Sequence, residues 1–311
     1  MMAVMVFFLA LLLAPLYSGW IKVCRARWQG KRSTSVLLPY WTLLKLLRKE
    51  PVIRIGTTPM FVGVPYLVFA CLALALAQVP LLGTELPWSE TSDVIALVGT
   101  LALARVFLAL GAMDTGTAFA SMGARREMLM AFLAEPALLS VLFTLVLMTQ
   151  STTLAHMAHS MLDRPLALNP SLAFAAVAYT MVFLAENGRI PVDNPTTHLE
   201  LTMIHEAMLL EYSGRYLALL EWGQSVRLLI YTGMGISLFM PWGMALGRVS
   251  LLAAMLSLAI FMFKCMVMGI LLAGLEVMSA KLRIFRVPEF LGMAFIFGVL
   301  GMFVHVLMET F

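Results

Sequence analysis

The chain has 311 residues, of which 61% are hydrophobic and only 12% are charged, against about 25% charged residues in a soluble globular domain. Its apolar runs approach the roughly 20 residues that a helix needs to cross a bilayer, which excludes a soluble protein. The runs are continuous rather than alternating, which excludes a β-barrel, and the formal net charge of +4 does not indicate nucleic-acid binding. The composition therefore predicts an all-α polytopic membrane protein.

Hydropathy predicts about eight transmembrane helices within a single integral membrane domain, 1–311. The predicted spans cover residues 3–21, 60–82, 93–112, 131–154, 169–186, 226–246, 250–275 and 289–308. Most of the 21 Lys and Arg residues fall in four of the connecting segments, 22–59, 113–130, 187–225 and 276–288. Basic segments stay on the cytoplasmic side of a membrane. We therefore expect these four segments in the cytoplasm and both termini outside.

The first cytoplasmic segment contains a candidate interfacial helix, Pro39–Glu50. Its leucines recur at helical spacing beside Lys45, Arg48 and Lys49, which favours a helix lying in the headgroup region, ended by Pro51. Such a helix either anchors the chain to the headgroups or forms one wall of a cleft for a lipid-like molecule or a docked partner.

Ionisable residues inside the spans are expensive to keep in a bilayer and mark candidate functional sites. Glu135 lies in an apolar run, where a carboxyl group must pair, hold a proton or face water. Arg105 lies in span 3, Lys264 near the middle of span 7, and Glu276 near the cytoplasmic end of that span. Such groups on separate helices can pass a proton along a chain. Snorkelling to the surface is the alternative, and it suits Glu276 better than Lys264.

The polar stretch 185–215 is the most informative part of the sequence, because it places many acids beside membrane spans. Its titratable members are Glu186, Asp193, His198, Glu200, His205, Glu206 and Glu211. On one continuous helix, Glu200 and Glu211 would lie about 20° apart, whereas the histidines and Glu206 would occupy other faces. The stretch therefore indicates a proton or cation path, or a docking surface.

Metal-binding motifs are absent from the sequence. Position 209 is Leu, so His205–Glu206 does not begin a metalloprotease motif. The three cysteines form no CxxC pair, and nothing indicates an iron–sulfur or zinc site in this chain. We therefore predict no catalytic residue, cofactor or metal here.

Two segments carry a family resemblance. AENGRIPVDNPTTHLELT followed by EYSG resembles the quinone-site membrane subunit of respiratory complex I. The second segment, MDTGTAFASMGARRE followed by AEP, is more similar to the related subunit of energy-converting [NiFe] hydrogenases of the formate-hydrogenlyase and hydrogenase-4 type. Val192, Thr196 and His198 depart from the complex I pattern. These departures leave fewer acidic residues next to the supposed quinone site, which counts against quinone reduction.

This resemblance implies a membrane-anchor subunit of a proton-translocating complex in the cell inner membrane. The partners would be a hydrogenase-like large subunit, an iron–sulfur small subunit and antiporter-like membrane subunits, and the [NiFe] centre and clusters would lie in those partners. The implied acidic channel, with Lys264 added from its position in span 7, would comprise Glu135, Glu186, Asp193, Glu200, Glu211 and Lys264. Candidate arm-docking residues are Arg125, Arg126, Glu127, Arg189 and Glu206, although ordinary positive-inside anchoring also explains the first two.

Three other functions stay open at this point. A quinone-site subunit of a complex I-like NADH:quinone oxidoreductase would share the fold. An ion-coupled secondary transporter would also suit the intramembrane acids, but the sequence shows none of the inverted repeats typical of many transporters. A pure scaffold would use its acids only to bind partner subunits.

Overall fold

The computed structural model describes residues 2–53, 56–83, 92–163, 169–189, 205–245, 251–279 and 286–310. The described residues form eleven helices and no strand longer than an isolated bridge. The helices are α1 (Met2–Trp28), α2 (Leu38–Leu47), α3 (Pro59–Gln78), α4 (Val94–Asp114), α5 (Ala118–Thr149), α6 (Leu154–Asp163), α7 (Pro170–Glu186), α8 (His205–Leu209), α9 (Gly214–Phe239), α10 (Leu251–Met278) and α11 (Val287–Thr310). The predicted all-α membrane fold is confirmed.

Each of the eight predicted spans falls on one of the long helices. Within the described ranges, six are long and apolar enough to cross a membrane: α1, α3, α4, α5, α10 and α11. Helix α7 is apolar but has only 17 residues, and α9 carries several charged residues along its length. The count of eight is therefore approximate, with six spans supported by length and composition.

Helix α5 differs most from its predicted span. It begins at Ala118, where the Thr117 side chain accepts a hydrogen bond from the Ala120 backbone, rather than near residue 131. The N-cap ends the short Gly116 turn and lets the helix continue through the basic second segment to Thr149. Arg125, Arg126 and Glu127 are consequently helical, on the same rigid element as Glu135.

The bundle packs as a row of helices with α4 near its centre. Helix α4 packs between α3 and α5, and α9 packs on α3 and α1. Helix α11 covers α5 and α7 at one side, whereas α10 lies against α1 at the other. One large apolar core runs through the row and includes fully buried Leu97, Leu142 and Tyr231.

The predicted helix of the first segment is present as α2, which lies against α1 and α9 while Trp41, Leu44 and Leu47 remain exposed. Its interfacial position stays a prediction. We call the end of the bundle that carries α2 and α8 the α2 end. At the opposite end, bridges join Gly83 to Ala245 and Asp93 to Thr153. The short helix α6 at that end follows Thr153 and was not predicted from sequence.

Candidate functional site: a buried arginine with three carboxylates

Arg105 lies at the centre of a buried ion cluster. Its Nη1 donates to Glu135 Oε1 at 3.0 Å, its Nη2 donates to Glu186, and its Nε lies 3.6 Å from Glu127 Oε1. The side chains of Arg105 and Glu186 are only 6% and 4% exposed. A single guanidinium therefore holds carboxylates from two other helices. We call Arg105, Glu127, Glu135 and Glu186 the Arg105 cluster.

The charges of the Arg105 cluster do not balance. One guanidinium faces three carboxyl groups. Arg227 lines the cavities beside the cluster and contributes a second positive charge. Even with Arg227, carboxyl groups outnumber cations in and around the cluster.

The helices bring the cluster together from distant parts of the sequence. Arg105 projects from the buried side of α4, Glu127 and Glu135 both come from α5, and Glu186 is the last residue of α7. The sequence identified Glu135 as a carboxyl group in an apolar run, and Glu186 by its place in the polar stretch beside a span. Glu127 was predicted to be an arm-docking residue in the second cytoplasmic segment.

A second ion cluster lies at the α2 end. Arg189 Nη1 donates to Glu276 Oε1 at 2.9 Å, and Arg25 Nη1 lies 3.5 Å from Glu276 Oε2. Glu276 is only 1% exposed and therefore does not snorkel to the surface. Because Arg189 follows Glu186 by three residues, the end of α7 links both clusters. Arg189 is thus the ion-pair partner of a buried carboxylate, and its docking role stays a prediction.

A cavity of about 640 Å³ opens between α1, α2, α8 and α9. Many of the side chains that line it are charged. They are Lys22, Arg25, Arg189, Glu206, Glu221, Arg227 and Glu276. Two smaller cavities, about 30 and 20 Å³, lie against Arg105 and Glu186. Each exceeds the roughly 10–15 Å³ that one water molecule needs. The lining of the 20 Å³ cavity is polar enough to suit water, whereas the 30 Å³ cavity is lined mainly by apolar side chains.

The EYSG motif forms a joint between separate segments. Thr117 Oγ1 donates to Glu211 Oε1 at 2.8 Å, and the Ser213 hydroxyl both accepts from Val52 N at 2.8 Å and donates to Val52 O at 3.0 Å. The Tyr212 ring stacks on Phe61 with centroids 4.2 Å apart. Burial and nearby Asp114 raise the pKa of the Tyr212 hydroxyl, so it stays protonated. Glu211 therefore stabilises the start of α5 and is not part of the Arg105 cluster.

The remaining predicted site residues are dispersed. Lys264 lies about 18 Å along α10 from Glu276 and donates to the carbonyls of Met240 and Trp242 at the end of α9. The structure therefore does not bring Lys264 to the acids. Arg125 is exposed, Arg126 is half-buried and contacts Met122 Sδ at 3.2 Å, and Glu206 lines the large cavity. Asp193 and Glu200 lie outside the described residues, as do Val192, Thr196 and His198.

Metal ligands are not grouped in the part of the chain that the structure describes. No three His, Cys, Asp or Glu side chains there are arranged to hold a metal ion. The chemistry of the described site is that of carboxylates, guanidinium groups and one imidazole. Carboxyl and imidazole groups exchange protons without a change of redox state, and the guanidinium groups supply fixed positive charge.

The fold and the site define a multi-pass helical membrane protein that encloses a buried ion cluster. The chain belongs to the NADH dehydrogenase family, which it matches over residues 1–307. It is 30% identical to formate hydrogenlyase subunit 4 of Escherichia coli over 288 residues, which is 93% of this chain and 92% of the relative. It is also 30% identical to hydrogenase-4 component C of the same organism over 276 residues, 88% and 85% of the two chains.

A solved structure shares the fold at lower sequence similarity. A chain of a membrane-bound sulfane sulfur reductase, an archaeal respiratory membrane complex, superposes with a TM-score of 0.84 at 18% identity over 97% of both chains. The predicted resemblance to hydrogenase-type and complex I-type membrane subunits is therefore confirmed at the level of the family.

Proposed function

We propose that this chain is the membrane-anchor subunit of a redox-driven, proton-translocating complex of the membrane-bound hydrogenase type. The observation that carries the proposal is the Arg105 cluster, in which three carboxyl groups share one buried guanidinium. The two 30% identical relatives, named as subunits of formate hydrogenlyase and hydrogenase-4, support the hydrogenase type. The redox centres would lie in partner subunits, and this chain would couple their electron transfer to proton movement.

The cluster would store the proton that enters the membrane. Glu135 is the most open of its three carboxyl groups, with a side chain 34% exposed, whereas Glu186 is almost fully enclosed. A proton bound to any one of them reduces the negative charge around Arg105. It also alters the ion pairs that Arg105 makes with the other two carboxylates. Electron transfer in a docked arm that shifts the charge at the α2 end would then change proton occupancy by simple electrostatics. Asp193 and Glu200 remain predicted members of this path.

Replacing Glu135 with Gln should impair proton translocation while the complex still assembles, because Gln keeps the shape and a hydrogen bond to Arg105 but cannot carry a proton. Glu186→Gln should have the same effect. The measurement is the quenching of a pH-sensitive dye in vesicles that contain the purified complex, per electron transferred from reduced methyl viologen. Glu289→Gln is the matched control, because Glu289 is exposed at the start of α11. Parental proton uptake in both cluster variants would refute the channel role and favour a scaffold.

The surface beside the cluster would dock the peripheral arm. Arg125 is exposed on α5, two residues from Glu127 of the cluster, so a partner bound there lies close to the proton store. By the positive-inside rule this end of the bundle faces the cytoplasm of the cell inner membrane, with both termini outside. The arm would hold a hydrogenase-like large subunit and an iron–sulfur small subunit, and antiporter-like subunits would pack along the bundle within the membrane.

Reversing the charge with Arg125→Glu should lower the amount of peripheral arm that co-purifies with this chain, since a rim charge mainly governs association and its salt dependence. The chain itself should remain in the membrane at the parental level. Arg32→Glu offers a control, because Arg32 is also basic and exposed but lies in the first segment. Equal arm recovery from both variants, at low and high salt, would place the docking surface elsewhere.

A quinone-site subunit is the second candidate, and the 640 Å³ cavity beside the interfacial helix favours it. The co-purifying partners distinguish the two. A large subunit with two CxxC pairs able to hold nickel supports the hydrogenase type, whereas NADH-oxidising subunits support a complex I-like enzyme.

A further inference from the structure

His205 occupies a position that no structural role explains. Both of its ring nitrogens are shielded from solvent, and neither has a hydrogen-bond partner among the described residues. A buried polar group without a partner costs roughly 1–3 kcal/mol. Such groups are rare in folded proteins and call for an explanation. Leu or Met at the start of α8 would fill the same space without this penalty.

The ring of His205 lies where the three cavities meet. It lines the 640 Å³ cavity at the α2 end and both small cavities beside Arg105 and Glu186. The Arg105 cluster lines the small cavities but does not line the large one. His205 therefore lies between the open cavity and the buried cluster.

Glu127 is the member of the cluster that His205 can reach. His205 Nδ1 lies 4.0 Å from Glu127 Oε1, against 2.7–3.2 Å for a formed hydrogen bond. Glu127 is also the carboxylate that Arg105 holds least closely, at 3.6 Å compared with 3.0 Å for Glu135. A movement of about 1 Å by a loosely held side chain closes this gap.

The charges around His205 favour transfer over storage. Helix α8 packs on α5 and α4, and the charged groups that face the ring from these and other elements are Glu127, Arg105, Glu186, Arg227 and its neighbour Glu206. Burial, followed by the positive charges of Arg227 and Arg105, holds the pKa of His205 well below its ordinary value. The neutral ring is therefore the favoured form.

We propose that His205 is the proton-transfer residue that joins the large cavity to the Arg105 cluster through Glu127. This inference rests on the proposed function and identifies the entry step of its proton path. A neutral imidazole has one donor and one acceptor nitrogen. A small rotation of the ring turns its acceptor nitrogen toward the large cavity, where it takes an excess proton from a protonated water. The other nitrogen then releases its proton to the Glu127 carboxylate, which becomes a neutral carboxyl group. The neutral ring, now in the other tautomer, returns to its starting state when the newly protonated nitrogen releases its proton to water and the other nitrogen takes one up.

The test compares His205→Gln with the exposed-histidine control His156→Gln in the purified complex in vesicles. Gln preserves polarity and approximate size but cannot exchange a proton. Proton uptake per electron from reduced methyl viologen should fall on the order of tenfold or more in His205→Gln, in line with the loss of a positioned acid–base group. It should be unchanged in His156→Gln. Parental uptake in His205→Gln together with impaired uptake in Glu135→Gln would overturn the role of His205 and leave the proposed function intact. Parental uptake in both would refute the proposed function itself.

Chemical rescue separates proton transfer from packing. In His205→Ala, imidazole added to the vesicles can enter through the large cavity and should restore part of the lost proton uptake. Pyrazole has nearly the same shape but is a far weaker base, and it should restore none. Equal rescue by the two compounds would make His205 a space-filling residue and overturn the proposal. Failure of both the Gln and the Ala variant to assemble would do the same.

Discussion

Replacing Arg105 with Leu will largely abolish assembly of the chain into a stable membrane protein. The substitution leaves three carboxyl groups facing one another in an enclosed site without their shared cation. Breaking a buried ion pair by removing one partner costs about 3–5 kcal/mol, because the remaining charge stays desolvated, and this is a large part of a typical folding free energy of about 5–15 kcal/mol. The measurement is the recovery of folded chain from detergent-solubilised membranes and its melting temperature.

Two further variants identify the cause of the loss. Arg105→Lys keeps the charge but replaces a planar fork by a single ammonium, and it should recover part of the stability without restoring all three pairs. Arg32→Leu removes an exposed guanidinium and should leave the melting temperature within experimental error. A second-site change that removes carboxylates, such as Glu127→Gln with Glu186→Gln, should lessen the damage of Arg105→Leu. If Arg105→Leu melts at the parental temperature, the cluster does not stabilise the bundle.

Replacing Gly214 with Ala will produce the second large effect, at the EYSG joint. Gly214 has φ +55°, which favours Gly by roughly 1–2 kcal/mol over residues with a Cβ. A Cβ atom at this position would also lie 2.8 Å from Lys49 O and 2.9 Å from Pro51 N. Both contacts are with backbone, which cannot rotate away, so overpacking adds about 1–3 kcal/mol. The expected result is a sharply lower melting temperature and a weaker attachment of the segment after α2.

Gly116→Ala is the matched control for this prediction. Gly116 has nearly the same backbone angle, φ +64°, but nothing lies within 4 Å of the position its Cβ would take. The control therefore carries the conformational penalty alone, and the difference between the two variants measures the clash. Protease cleavage after Lys49 would report detachment directly, and it should increase only in Gly214→Ala. Equal melting temperatures in the two variants would show that the segment moves aside without penalty.

The fold could be predicted from sequence because each apolar run corresponds to a long helix. The prediction was less accurate at α5, where the basic residues Arg125 and Arg126 indicated a loop. The N-cap at Thr117 outweighs them and extends the helix by more than three turns. Helix α6 was missed because its ten residues are too few for a span and are only partly apolar. Local hydropathy reports membrane crossing and carries little information on short helices outside the membrane.

The candidate site could be predicted only in part, because its partners come from different helices. Glu135 was identified from the expense of a carboxyl group in an apolar run, and Glu186 from the polar stretch 185–215 and the family resemblance. Their shared partner Arg105 was noted as an intramembrane charge, but no spacing rule joins a residue of α4 to residues 30 and 81 positions away. Lys264 is also a charged residue within a predicted span, but it lies elsewhere. It donates hydrogen bonds to backbone carbonyls at the end of α9. Intramembrane charge therefore indicates that a partner exists and leaves its identity open.

The short length of α7 has a consequence for how the protein responds to membrane voltage. Its 17 residues span about 26 Å, less than the roughly 30 Å of a bilayer's hydrocarbon layer. If α7 crosses the bilayer, Glu186 at its last residue would lie below the level of the lipid headgroups, inside the electric field. Moving one elementary charge across a potential of 100 mV changes its free energy by about 2.3 kcal/mol. A proton that binds at Glu186 would cross a fraction of that field, and the resting potential would then bias the occupancy of this carboxyl group.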